Sequence, residues 1–269
     1  MGAAARHLLA ELGRRDDPAI PLGEAALALS AVHRPCLDDA AVRLRLGRLC
    51  EEATLLLDGR SDAAEICRAL GELLLVRHGF SAGNEDGDEL ADLLADRRGS
   101  EEVLVMLWLI VGHGLGLRCE SLAFPLQPLV RLCDGRGGRA IVDCGQGVVL
   151  DSPALRARLK ADAGTKAELE PRFFHGLGAR DALLRWRQAV KMRRLRLGDL
   201  APALAVVESA LLFAPDRAGL WREAGLMRLR LNDLAGAAAA LEQFVLRENN
   251  AVARGRGRQL LAEVRARMN

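Results

Sequence analysis

Tyrosine is absent from this chain, and aromatic residues make up only 3% of its 269 positions. That scarcity removes the residues on which β-rich cores and base-stacking surfaces depend. A core must instead be assembled from Leu, Ala and Val, which suit helix packing. The six cysteines (Cys36, Cys50, Cys67, Cys119, Cys133, Cys144) include no C-x-x-C pair and no Cys/His cluster at zinc spacing. They read as reduced thiols, and no metal or other cofactor is expected. Long apolar stretches are missing too. The longest, Val103 to Val111, is too short to span a bilayer, and Arg6, Glu11, Arg14 and Arg15 interrupt any signal-peptide layout. The expected setting is the cytoplasm, without a membrane partner.

What is present is an uneven charge distribution. The formal net charge is +2, but residues 1–178 carry 21 Lys/Arg against 27 Asp/Glu, and residues 179–269 carry 17 against 9. No aromatic run or recognition motif accompanies the C-terminal arginines, so nucleic acid is not expected as a partner. A solvated helix face or an acidic protein partner fits better.

With 50% hydrophobic residues the chain can bury two cores of unequal size. Apolar residues recur at three- and four-residue intervals over 22–34, 37–57 and 62–77, predicting amphipathic helices, the last N-capped at Ser61 or Asp62. The acidic stretch from Ser81 to Asp88 is a surface loop. Glu85, Asp86 and Asp88 could offer oxygen ligands to calcium, but their order does not match a calcium loop, and no metal is expected there. A short helix over Glu89 to Asp96 follows. Ser100 then N-caps a helix running to about His113 that has no polar face over Val103 to Val111 and must be covered on nearly all sides.

The pattern next shortens. Arg118 to Ala123, Leu129 to Cys133 and Arg139 to Asp143 lean toward strand, with Asp134-Gly-Arg-Gly-Gly138 as a hairpin turn. Residues 151–178, with Pro153 and Pro171, read as a short helix plus linker. Beyond them, sliding the sequence on itself by 34 residues lays Leu195-Arg-Leu-Gly-Asp-Leu200 on Leu229-Arg-Leu-Asn-Asp-Leu234, Ala203 on Ala237, Val207 on Leu241 and Glu208 on Glu242. The period, with Trp221, Gly225, Ala203, Ala210 and Pro215, resembles the tetratricopeptide (TPR) pattern. A final helix from about Ala251 to Met268 is expected to cap the apolar face that two units leave open. The expected class is mainly α with a small antiparallel sheet (α+β). Its parts are an N-terminal segment 1–20, a domain 21–150, a linker 151–178 and TPR repeats with a capping helix over 179–269.

Several segments in order, Leu74 to Asn84, Leu93 to Ser100, Leu115-Gly-Leu117, Phe124 to Arg131 and Ile141-Val-Asp143, followed by TPR units, resemble the bacterial SirB-type proteins. Those proteins join a transglutaminase-like core domain to C-terminal TPRs. The resemblance implies a Cys-His-Asp triad, with the Cys opening the core helix, where the helix N-terminus lowers a thiol pKa, and the His and Asp on successive strands. Carried over, the Cys position falls on Glu101 or its neighbour Ser100, the His position on Gln127 and the Asp position on Asp143. Neither Ser100 nor Glu101 supplies a thiolate and Gln127 cannot shuttle a proton, so no catalytic residue is expected.

The vacated cleft around Ser100, Glu101, Gln127 and Asp143 is a candidate ligand site, set against a purely structural role in capping the core helix and tying the sheet to it. By the same resemblance, the TPR groove falls on Arg185, Gln188, Met192, Arg196, Arg222 and Arg230. Four arginines there suit an acidic peptide or a free C-terminal carboxylate. The expected function is a non-catalytic protein-binding scaffold or adaptor. The alternative is a hydrolase or acyltransferase working through displaced residues such as Cys144 or Ser100.

Overall fold

A computed structural model describes residues 2–34, 37–83, 87–125 and 127–268. The chain forms two compact units. One comprises Met1–Ala19, Ala28–Cys36 and Arg187–Asn269, and the other Ile20–Leu27 and Leu37–Trp186. The fold is mainly helical with a small antiparallel sheet, as a core built from Leu, Ala and Val requires. Helix α1 (Gly2–Leu12) belongs to the first unit, and α2 (Leu22–Ala31) crosses from the second into the first.

In the second unit, α3 (Asp39–Leu57) is N-capped by Asp38, which accepts from the Ala41 amide at 3.0 Å, and buries Val42, Leu46, Leu49 and Ala53 as one stripe. Asp62 caps α4 (Ala63–Gly71) through the Glu65 amide at 2.9 Å, and α4 runs on into a wider π-helical turn, Glu72–Arg77. Strand β1 (Ser81–Ala82), α5 (Leu90–Asp96) and β2 (Arg98–Gly99) follow, β1 and β2 pairing in parallel. Helix α6 (Glu101–Gly114) is N-capped by Ser100, and every residue from Val103 to Gly112 is buried. This is the all-round apolar helix that the sequence demanded.

Strands β3 (Arg118–Leu122), β4 (Leu129–Cys133), β5 (Arg139–Asp143) and β6 (Val148–Leu150) form an antiparallel meander. After α7 (Ser152–Ala163), β7 (Gly176–Leu177) pairs with β3, giving the order β6-β5-β4-β3-β7. Period-two alternation sends Cys119, Val130, Leu132, Ala140 and Val142 to one face, which packs on α4 and α6. Leu122, Leu129, Ile141 and Leu150 point to the other face, under Leu155 and Leu159 of α7 and under Phe173 and Phe174. Residues 151–178, read from sequence as a short helix plus linker, therefore supply a helix, an edge strand and part of the core.

In the first unit, α8 (Ala179–Arg196), shared with the second unit up to Trp186, is followed by α9 (Leu200–Phe213), α10 (Ala218–Arg230), α11 (Leu234–Arg247) and α12 (Ala251–Ala266). The repeat is visible in the boundaries. Helices α8 and α10 end at Arg196 and Arg230, and α9 and α11 begin at Leu200 and Leu234. Gly225 marks where α10 and α11 approach closely: a Cβ on it would lie 2.9 Å from the Leu241 side chain. Ala203, Val207, Leu211, Ala224, Met227 and Ala240 form one core cluster, and Ala237, Ala238, Leu241, Leu261 and Val264 the next, with α12 packed on α11. Helix α1 packs on α9 at the opposite end. Its Leu9 and Leu12 are fully buried, each contributing about 2 kcal/mol, and the chain leaves α1 so close to α9 that a Cβ on Gly13 would lie 2.7 Å from the Phe213 carbonyl oxygen. His33 Nε2 meets Ser209 Oγ at 2.9 Å within the same unit.

Candidate functional site

Two places gather the residues singled out from sequence. The first is the corner where α6 begins beside the end of β5. Ser100 Oγ accepts from the Val103 amide at 3.4 Å, an ordinary N-cap. Asp143 closes β5 with an Asx turn: one carboxylate oxygen accepts from the Gly145 amide at 2.8 Å and the Gln146 amide at 3.1 Å. Its other oxygen forms an ion pair with Arg158 from α7, and the two side chains are only 13% and 16% exposed. Glu101 shares this neighbourhood. Although exposed by surface area, its carboxyl is partly desolvated, and that, ahead of repulsion from Glu102 and Asp143 and against the pull of Arg158, holds its pKa above the ordinary carboxylate range. Gln127 lies in the β3–β4 connection, half-buried, and its side chain makes no hydrogen bond among the described residues. The corner thus brings Glu101, Asp143 and Arg158 together.

The second place is the exposed side of the repeat helices. Gln188, Met192 and Arg196 recur at four-residue steps along α8 and are all exposed, Met192 by 44%. One period on, Arg222 and Arg230 are exposed on α10 with Leu226 half-buried between them. Among the described residues Arg196, Arg222 and Arg230 have no hydrogen-bond or ion-pair partner, while Gln188 accepts from Lys191 Nζ. Arg185 departs from the expectation. Its guanidinium donates to the Leu122 carbonyl at 2.7 Å and the Phe124 carbonyl at 3.0 Å, and burial lowers its pKa. It pins the start of α8 to the end of β3 and is not part of the exposed row. Sequence reasoning missed Arg256, one further period along on α12, exposed and likewise unpartnered among the described residues. The 34-residue shift that found the first two units would have found it if continued once more.

A model of the transglutaminase-like superfamily matches residues 40–188, more than half of the chain. The chain belongs to the transglutaminase-like superfamily. A tetratricopeptide-repeat model matches residues 190–269, so the transglutaminase-like domain is followed directly by TPR repeats. A UPF0162 protein of Vibrio cholerae serotype O1 (strain ATCC 39315 / El Tor Inaba N16961) is 29% identical over 218 residues, which cover 79% of this chain and 80% of that protein. A crystal structure of menin, whose title describes the binding site for Mixed Lineage Leukemia protein, overlaps 91% of this chain and 69% of its own. It does so at 13% identity and a TM-score of 0.37, a likeness too slight to argue from.

In this transglutaminase-like domain the three buried cysteines are poorly placed for thiol chemistry. Cys144 adjoins Asp143 but is buried, and desolvation, then the Asp143 charge, pushes its pKa well up, which keeps the thiol protonated. Cys67 and Cys119 are buried on the inner side of the sheet and both are pushed up to about 12, chiefly by desolvation. His113 sits at the far end of α6 and meets the Cys119 carbonyl at 2.9 Å. It lies about 18 Å from the helix start, counting 1.5 Å per residue. Of the acidic loop, residues 84–86 lie outside the described residues, so Glu85 and Asp86 are not placed. Asp88 is buried, and its carbonyl accepts from Trp186 Nε1 at 2.8 Å. No helix among the described residues is long and apolar enough to cross a membrane.

Proposed function

We propose that this chain is a non-catalytic adaptor of the SirB-type arrangement, acting in the bacterial cytoplasm. In this reading the transglutaminase-like domain is a scaffold and the repeats hold an acidic peptide segment or a free C-terminal carboxylate. The observation that carries the reading is the row of exposed arginines, Arg196, Arg222 and Arg230, whose guanidiniums have no partner among the described residues. Arginine presents a planar fork of donors that matches a carboxylate bidentately. Gln188, Met192 and Leu226 lie between or beside these forks and offer the less polar contact that an extended peptide needs. At the α6 corner, Asp143 already has its acceptors filled by two amides and Arg158, which supports a structural role there.

Affinity capture from bacterial cytosol on the immobilised chain tests the proposal, comparing wild type with Arg196→Glu/Arg230→Glu and with Asp143→Ala. The expected result is a partner held by wild type and released by moderate salt, lost with the charge reversals and kept with Asp143→Ala. Identical partners with all three would sink the groove reading. The competing enzyme reading requires one cysteine of outstanding reactivity. A thiol probe at neutral pH, with sites read by peptide mass spectrometry, is expected to leave Cys67, Cys119 and Cys144 unlabelled in the folded chain.

A further inference from the structure

The outer face of the five-stranded sheet is covered at one end only. Helix α7 and the Phe173–Phe174 segment lie over Leu129, Ile141 and Leu150. Toward the other end the strand register sets Arg118 opposite Cys133 and Cys133 opposite Arg139. Residues paired directly across strands share a face, so two arginines stand on either side of one small side chain, about 10 Å apart at two strand spacings. A cavity of about 140 Å³ opens between them, lined by Arg118, Glu120, Arg131, Cys133, Asp134 and Arg139.

The charges in this wall do not cancel. Glu120 is taken by Arg131, whose guanidinium also donates to the Phe174 carbonyl at 2.8 Å. Asp134 is turned into its own hairpin, accepting from the Arg136 amide at 2.9 Å and the Gly138 amide at 2.7 Å. Glu120 is thus paired and Asp134 spends one oxygen on its own turn, while three arginines against two carboxylates leave the wall net positive. Arg118 reaches Glu120 only loosely, at 3.7 Å, and Arg139 has no partner among the described residues. The open fork of Arg139 and the loosely paired one of Arg118 thus face a space close to the ~150 Å³ that accommodates a benzene-sized guest.

We propose that this pocket binds a small, doubly charged oxyanion, with Arg118 and Arg139 each holding one end and Arg131 fixed between them. The site is independent of the repeat helices and of the α6 corner. It is tested by calorimetric titration of the full chain with inorganic phosphate and, separately, with malonate, at constant ionic strength set by chloride. Saturable binding of at least one of the two is expected. It should weaken at least fivefold in Arg118→Gln/Arg139→Gln, whose melting temperature without ligand should match wild type because both side chains are exposed. Arg222→Gln/Arg230→Gln, which removes equal charge from the repeats, should bind as wild type does. Absence of saturable binding by either anion, a loss under fivefold in the sheet variant, or an equal loss in the repeat variant would each overturn the proposal.

Discussion

The α6 corner and the exposed repeat row are both built from charged residues, yet they dispose of charge in opposite ways. In the corner, the acceptors of Asp143 are filled from within the chain, by two amides and by an arginine that arrives from α7. Along the repeats, arginines recur at a fixed period and their forks are left open to solvent. Internally satisfied charges specify structure, and their loss is felt as instability. Open charges cost the fold almost nothing to change, so whatever they do is done to something else. The comparison separates charge spent within the fold from charge left open at its surface.

The contrast breaks first at Arg158. Replacing it with Ala leaves Asp143 buried beside an empty position, and a loss of roughly 3 kcal/mol is expected, a fall in melting temperature on the order of 10 °C. Arg158→Met combined with Asp143→Asn should recover more than half of it, and calorimetry on the four chains of that cycle measures the coupling. If Arg158→Ala melts like wild type, the corner is not internally satisfied and the contrast fails. Arg185→Met should cost about 2 kcal/mol, because two carbonyls at the end of β3 lose a charged donor. Were it neutral in denaturant unfolding and harmful only to partner capture, Arg185 would return to the exposed row.

Glu101→Gln is a smaller, pH-dependent case. The folded-state pKa of Glu101 is raised, so the native chain binds this proton more tightly than the unfolded chain. The contribution is therefore present below about pH 4.3, the ordinary glutamate value, and is lost as pH rises through the folded value. The variant should match wild type in acid and exceed it slightly at neutral pH, which melting curves across pH 3.5–8 would register. Least of all, Arg196→Gln, Arg222→Gln and Arg230→Gln should each change stability by no more than about 0.5 kcal/mol. A larger loss would mean that the row is doing structural work.

Much of the architecture was legible because it is local. The apolar run of α6, its Ser100 cap, the hairpin at Asp134 to Gly138 and the 34-residue repeat all depend on residues close in sequence or at constant spacing. What escaped depends on distant pairing. Strand β7 is two residues long and exists only through its bonds to Ser121 and Leu122, and β6 carries three residues with no alternation to read. Arg158 sits on α7 among other basic residues, and only the fold brings it to Asp143. Arg185 looked like a repeat position because α8 follows the TPR period, but its first turns belong to the other unit. The aspartate of the corner was singled out from its segment, while the arginine that stands beside it carried no sequence signal.

Helix α1 packs on α9, although some 200 residues separate them along the chain. At ribosomal rates of about 5–20 residues per second, α1 is exposed for roughly 10–40 s before its seat on α9 has been synthesised. Leu9 and Leu12, buried in the finished molecule, are apolar surface throughout that interval. The repeat unit cannot close until the transglutaminase-like domain between its segments has been made, so a nascent chain halted within that domain would offer a sticky amphipathic helix to whatever chaperone is near.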